Sequence, residues 1–327
     1  MGLSINEKHA RLGVPEQRLG GKIRLSAPLY AFQNEVVLKT DKIIDEKPIM
    51  SSHLNLKALL DTVNQIAQSA AERIMEVYAT PFEVTQKSDK SPLTLADMAA
   101  HETIVTGLKA ITPDWPVLSE ESTDISAQER ASWQRYWLVD PLDGTREFIK
   151  RNGEFTVNIA LIDDQKPILG VVYVPVTNVS YFACQGEGAF KCLPDSSPEP
   201  IKVRACPKNR LIVAGSRSHA NQSLQKFLDS VEEEIELVSI GSSLKSCLVA
   251  EGKADIYPRF GPTSEWDTAA AQCVVEQAGG HLTDIQMQPL RYNTKESLLN
   301  PYFLVFGDAN KDWARYVAQV ISSTPST

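Results

Sequence analysis

The chain has 327 residues, 43% of them apolar, enough for a sizeable core in one large or two closely packed domains. Its formal charge is −8, and residues 51–327 carry 25 Lys/Arg against 35 Asp/Glu, which argues against duplex nucleic acid as a partner because such binding rests on a basic face. No stretch approaches the ~20 apolar residues of a membrane-spanning helix, and the N-terminus lacks the ~7–15-residue apolar segment of a secretory signal, so a soluble, cytoplasmic protein is expected.

Residues 1–52 show no clean helical or strand period and read as a weakly ordered extension, with Met50 as an alternative start. From Leu56 the apolar positions recur every three to four residues, predicting an amphipathic helix that ends before Pro81. "FEVTQKSDKSPLT" (82–94) reads as a polar hairpin, and Thr94 with Asp97 resembles a capping box opening a helix to about Ile111. "PVLSEES" and "YWLVD" are each a short buried strand running into acidic residues. Apolar runs at 155–163, 167–175 and 179–184, joined by short polar turns, predict an antiparallel meander.

After "LPDSSPEP" (193–200) the rhythm changes to strand 211–216, helix 220–232, strand 235–240, helix 243–250, strand 254–260 and helix 267–278, which stops at Gly279-Gly280. The expected organisation is therefore an α+β domain over 53–197 and a layered α/β domain over 198–327. Cys184, Cys192, Cys206, Cys247 and Cys273 form no C-x-x-C pair and are expected as reduced, mostly buried thiols. The five histidines lack metal-binding spacing, so any metal here is expected to be a hard cation with oxygen ligands.

In "WLVDPLDGTREF" Asp140 ends a strand, Pro141 stiffens the turn, and Gly144 allows tight backbone geometry between Asp143 and Thr145. Two carboxylates so close repel each other unless a cation lies between them. Taken alone, the segment is equally an Asp-Pro turn with a helix cap at Asp143. Glu120 and Asp267 could complete an oxygen-rich site, although Asp267 and Asp97 singly are as readily capping residues. The spacing D-P-L-D-G-T is one residue longer than the D-x-D-G-T loop of phosphatases that form an aspartyl-phosphate, so Asp140 is better cast as a metal ligand with water as nucleophile.

"SEES", "WLVDPLDGTREFIKRNGEFTVNIALI" and "EWDTAAAQCVVEQAGG" resemble the three signature segments of the inositol monophosphatase superfamily of Mg²⁺-dependent, lithium-sensitive phosphatases. "SRSH", "GSSLKSCLVAEGKADIYPRFGPTSEWDTAAA" and Asn300-Pro301 resemble its 3′(2′),5′-bisphosphate nucleotidase branch, the CysQ type. The resemblance spans about Leu54 to Phe306 and implies a layered αβαβα sandwich with the site between its halves. It further implies two or three Mg²⁺ ions held by Glu120, Asp140, the Leu142 carbonyl, Asp143 and Asp267, an attacking water handled by Asp97 and Thr145, and a scissile phosphate met by the Gly144 and Thr145 amides. The implied substrate is adenosine 3′,5′-bisphosphate or its 5′-phosphosulfate relative, bound by a monomer or homodimer, with peripheral attachment to the inner membrane suggested for some relatives.

On the nucleotide side, the amides of Gly241, Ser242 and Ser243 precede a predicted helix and could receive a phosphate, with Lys245 adding charge; an ordinary serine N-cap explains the same residues. His219 in "SRSH" and Arg259 are further candidates, each equally readable as a surface or strand-end residue. Arg146 stands where the family often has lysine. The rival readings are an inositol-1-phosphate phosphatase, in which D-G-T-T-N-F is commoner than this chain's "DGTREF", and a non-catalytic sensor of nucleotide and metal.

Overall fold

The computed structural model describes residues 54–80, 92–122, 125–215 and 222–321. The predicted extension over 1–52, most of the predicted hairpin and His219 lie outside these residues. The chain from His53 onward forms one compact unit, and none of its described helices is long and apolar enough to cross a membrane.

The first helix, α1 (Leu56–Tyr78), is capped by Asn55, whose Oδ1 accepts from Ala58 N at 3.1 Å. It buries the predicted stripe of Leu60, Val63, Ala67, Ala70 and Ile74. Helix α2 (Pro92–Ile111) packs against it. It starts two residues earlier than predicted, with Pro92 in its first turn, where a missing N–H costs nothing. Thr94 and Asp97 therefore lie inside the helix, and the predicted capping box is not its opening.

A seven-stranded sheet follows, in chain order from edge to edge: β1 (Val117–Ser119), β2 (Arg135–Asp143), β3 (Thr156–Asp163), β4 (Lys166–Val174), β5 (Val179–Cys184), β6 (Gly188–Cys192) and β7 (Glu199–Ile201). Two short helices, α3 (Ala127–Arg130) and α4 (Thr145–Ile149), flank β2. Only the β1–β2 pairing is parallel, because α3 and its loops return the chain to the same end; the rest is the expected antiparallel meander. "LPDSSPEP" connects β6 to β7 within this sheet, so the change of architecture comes after Ile201.

The second part alternates as the sequence predicts: β8 (Arg210–Gly215), α5 (Gln222–Ser230), β9 (Glu234–Ser239), α6 (Leu244–Ala250) and β10 (Ile256–Arg259). A 3₁₀ turn (Glu265–Asp267), α7 (Ala269–Gln277), β11 (His281–Asp284), β12 (Phe303–Phe306) and α8 (Ala314–Ile321) complete it. The strand order is β11-β12-β10-β8-β9, with β12 antiparallel to both its neighbours.

Helices α1 and α2 cover one face of the first sheet, α6 and α7 lie between the sheets, and α5 and α8 cover the outer face of the second. The result is the αβαβα sandwich, with three apolar clusters separating its layers. All five cysteines are free thiols, and Cys184, Cys247 and Cys273 are buried in the core as expected.

Close contact between β4 and α7 depends on Gly170, where a Cβ would stand 2.3 Å from the Ala270 carbonyl oxygen. Backbone rather than a movable side chain is the obstacle, so Gly170→Ala should force the two layers apart. The expected loss is about 1–3 kcal/mol or more of unfolding free energy, read as a lower midpoint in urea denaturation; an unchanged midpoint would show that the layers can shift freely.

Candidate active site

Strand β2 is apolar because it is covered on both faces, and it reaches Asp140 still in the interior, where the residue is 1% exposed. On a regular strand, residues three apart face opposite sides. Here the pairing with β3 runs Asp140 to Asn158 and then Asp143 to Thr156, so three residues on β2 span two on β3. The irregularity falls at Pro141-Leu142, one of the few places a paired strand tolerates proline, and it aims both aspartates into the same region. Asp143 does not cap α4: Gly144 is the N-cap, at φ 103°. A side chain there would be strained by that backbone geometry and would press on Phe155 and the Glu154 carbonyl at 3.2 Å.

Glu120 follows β1 and is held beside β2 by its N–H, which donates to the Val139 carbonyl at 3.1 Å. Asp267 ends the 3₁₀ turn, where its Oδ2 accepts from Ser264 N at 2.8 Å in a capping box. Asn300 anchors that turn by donating to the Ser264 carbonyl and Thr268 Oγ1 at 2.8 and 2.9 Å. Thus three separate parts of the chain bring Glu120, Asp140 and Asp267 together, with a carboxylate oxygen of each within 4.8 Å of the others.

Burial pushes the Asp140 carboxyl well above its ordinary range, and the charges of Glu120, Asp143, Asp267 and Asp97 push it further. Asp267 is pushed up to about 7, first by burial and then by Asp143, with the Ser264 N–H acting in the opposite sense. Asp140 therefore feels the other four acidic residues singled out in the sequence. Such a set of hard oxygen donors, one of them wholly buried, fits a divalent cation, whose charge would reverse these shifts.

A cleft of about 200 Å³ opens beside the cluster, lined by Asp143 to Glu147, Gly241 to Ser243, Lys245, Arg259 and Asp267 among others. Thr145 is half-buried at its floor and Arg146 is exposed on its rim. Leu142 is buried in the β2 irregularity, its N–H donating to Asp140 Oδ1 at 3.0 Å.

The wall formed by residues 240–245 differs from the expectation. The Gly241 N–H is taken by Glu154 Oε2 at 2.8 Å and the Ser243 N–H by Asp143 Oδ2 at 2.7 Å, so neither is open to a phosphate. The reason is close packing of this loop on the other half of the molecule: a Cβ on Gly241 would stand 2.6 Å from Glu147 Cγ and 2.7 Å from the Glu154 carbonyl oxygen.

Ser243 Oγ also faces Asp143, at 2.8 Å, so it is turned toward the carboxylates. Lys245 is buried, donates to the Ser242 carbonyl at 2.6 Å and lies over the Tyr257 ring at 5.3 Å. Burial lowers its pKa to about 8. It braces the loop as well as charging the cleft. Arg259 lines the cleft with Nε and Nη2 committed to Thr263 Oγ1 and the Pro262 carbonyl.

In the sequence Ser242 stands out only for its backbone amide. It has φ 43°, lines the cleft, and its buried hydroxyl has no partner among the described residues. No local pattern distinguishes it from Ser243; only the neighbouring β2 carboxylate decides which serine is engaged.

Residues 55–323 match the inositol monophosphatase family. The chain belongs to that family. Within it, 3′(2′),5′-bisphosphate nucleotidase CysQ of Escherichia coli O157:H7 is 55% identical over 251 residues, covering 76% of this chain and 99% of the relative. The protein of that name from Aggregatibacter actinomycetemcomitans is 38% identical over 259 residues, covering 79% and 94%. The crystal structure of CysQ from Bacteroides thetaiotaomicron matches with a TM-score of 0.71 at 43% identity, over 78% of this chain and 98% of that one. The inositol monophosphatase family is metal-dependent, in keeping with the carboxylate cluster.

The Asp267 carboxyl sets a pH dependence in metal-free protein. Its folded-state value of about 7 exceeds the ~3.9 of an unfolded chain, so the folded form holds a proton that the unfolded form releases. The stability from this group is therefore present below about pH 4, is lost as pH rises to about 7, and stays lost above. Asp267→Asn removes the effect, so in chelator its melting temperature should gain on that of wild type as pH rises from 5 to about 8. A constant difference across that range in calorimetry would contradict the assignment.

Proposed function

We propose that the chain is a Mg²⁺-dependent phosphatase that hydrolyses the 3′-phosphate of adenosine 3′,5′-bisphosphate to give AMP and phosphate. The observation that carries this reading is the meeting of Glu120, Asp140, Asp143, Asp267 and Asp97 beside a cleft whose wall carries Arg146, Lys245 and Arg259. Close relatives named as bisphosphate nucleotidases across nearly their whole length support the substrate.

Glu120, Asp140, the Leu142 carbonyl, Asp143 and Asp267 are the residues to hold two or three Mg²⁺ ions. When bound, such ions activate water and offset the charge that develops on the phosphate and its leaving oxygen. The protein's own groups supply the rest. Thr145 Oγ, in the first turn of α4, orients the attacking water, and the Asp97 carboxylate accepts its proton. The backbone N–H groups of Gly144 and Thr145 face the scissile phosphate, using the positive φ that only glycine adopts freely at 144.

Lys245, Arg259 and Arg146 give the cleft its positive wall for the second phosphate. The rigid support of the loop by Glu154 and Lys245 keeps these groups in place without needing the ligand to order them.

The test is phosphate release by purified protein from adenosine 3′,5′-bisphosphate, inositol 1-phosphate and fructose 1,6-bisphosphate, each with Mg²⁺ and with or without Li⁺. The bisphosphate nucleotide should be preferred by at least about tenfold in kcat/KM, a difference of ~1.4 kcal/mol in transition-state binding, with loss of activity in Li⁺. Preference for either sugar phosphate would overturn the substrate assignment, and no release from any of the three would support the sensor reading.

A further inference from the structure

Asp143 offers its two oxygens to very different surroundings. Its Oδ2 has four donors around it: Ser243 N at 2.7 Å, Ser243 Oγ at 2.8 Å, Asn158 Nδ2 at 3.4 Å and Thr156 Oγ1 at 3.5 Å. The Ser243 N–H engages one lone pair of that oxygen, and the Ser243 hydroxyl stands against the other. The other aspartates repeat the pattern more lightly, since Asp140 Oδ1 accepts from Leu142 N at 3.0 Å and Asp267 Oδ2 from Ser264 N at 2.8 Å.

Each of the three thus keeps one oxygen tied to a backbone amide, leaving Asp140 Oδ2, Asp143 Oδ1 and Asp267 Oδ1 clear of these bonds. The hydroxyl of Ser243 adds a constraint between ligands. Ser243 is 5% exposed, and its Oγ accepts from Asn158 Nδ2 at 3.0 Å, which leaves its own proton for Asp143 Oδ2 or for the Asp267 carbonyl oxygen at 2.9 Å. One side chain from the loop before α6 therefore stands between a carboxylate on β2 and the backbone of the 3₁₀ turn, within hydrogen-bond reach of both.

We propose that Ser243 is a specificity-determining positioning residue for the metal: by occupying Asp143 Oδ2 it restricts that carboxylate to one-oxygen ligation and so favours a small six-coordinate cation over a larger one. The physical basis is the difference between the two common hard cations. Mg²⁺ demands near-octahedral geometry at ~2.0–2.1 Å, which single carboxylate oxygens and waters satisfy, whereas Ca²⁺ takes six to eight oxygens at ~2.3–2.6 Å and gains from carboxylates that chelate with both. To bind Ca²⁺ in that way Asp143 must break its bonds to Ser243. The inference deepens the metal-dependent reading given above and rests on it.

The experiment is calorimetric titration of metal-stripped protein with Mg²⁺ and separately with Ca²⁺, without substrate, for wild type, Ser243→Ala, Ser243→Thr and Asn158→Ala. Loss of the hydroxyl should lower the ratio of the Ca²⁺ to the Mg²⁺ dissociation constant by about tenfold, the scale on which hydrogen-bond partners of metal ligands act. Ser243→Thr, which keeps the hydroxyl, should restore the ratio, and Asn158→Ala should lower it in the same direction. If Ser243→Ala does not fold, Asn158→Ala carries the same test.

A ratio unchanged within about twofold, or equal weakening of both cations, would overturn the proposal, the latter marking Ser243 as merely structural. If neither cation binds wild type, it is the metal reading itself that fails.

Discussion

A carboxylate buried among four others is an unfavourable arrangement, and the protein maintains it at Asp140 at a cost in folding free energy. Desolvation and the charges of Glu120, Asp143, Asp267 and Asp97 all press on the same group. Hydrophobic burial elsewhere has to offset that repulsion, and the three apolar clusters between the layers supply it. The tension is tolerable because a divalent cation turns the same groups from mutual antagonists into shared ligands. Fold and function meet in this one electrostatic constraint.

The layered architecture follows from it in specific ways. Asp140 and Asp143 share a region because β2 breaks its register at Pro141-Leu142. Asp267 reaches them because α7 is wedged between the sheets, closely enough that Gly170 is obligatory beneath it. The loop before α6 is tied back to the first half by Glu154 and Asp143, closing the cleft's wall from across the molecule. The contacts of α7 and of the loop before α6 join residues far apart in sequence, so the site exists only when both sheets are assembled.

Much of this was legible beforehand. Helix α1 could be read from its apolar stripe, the meander from its short turns, and the acidic set from its placement at strand ends beside Gly-Thr. What was not legible depends on tertiary neighbours. The start of α2 was misplaced because Thr94 and Asp97 imitate a cap while Pro92 opens the helix. Strands β11 and β12 and helix α8 were not foreseen, since Phe303–Phe306 pairs with residues nearly fifty positions earlier at Ile256–Arg259 and carries no local turn signal.

Within the site, the adjacent serines 242 and 243 are indistinguishable as letters. Asp143 engages one and leaves the hydroxyl of the other buried, without a partner among the described residues. Lys245 could be recognised as a charge near the ligand, but its role in bracing the Ser242 carbonyl needed the loop's shape.

Every functional role above depends on this carboxylate cluster being where a cation binds. Crystals of the protein soaked in Mn²⁺, measured for anomalous scattering, test that directly. The prediction is a strong peak within coordination distance of Glu120, Asp140 and Asp267, absent from Asp140→Asn crystals grown and soaked in the same way. A peak located elsewhere, with these three side chains free of metal, would contradict it.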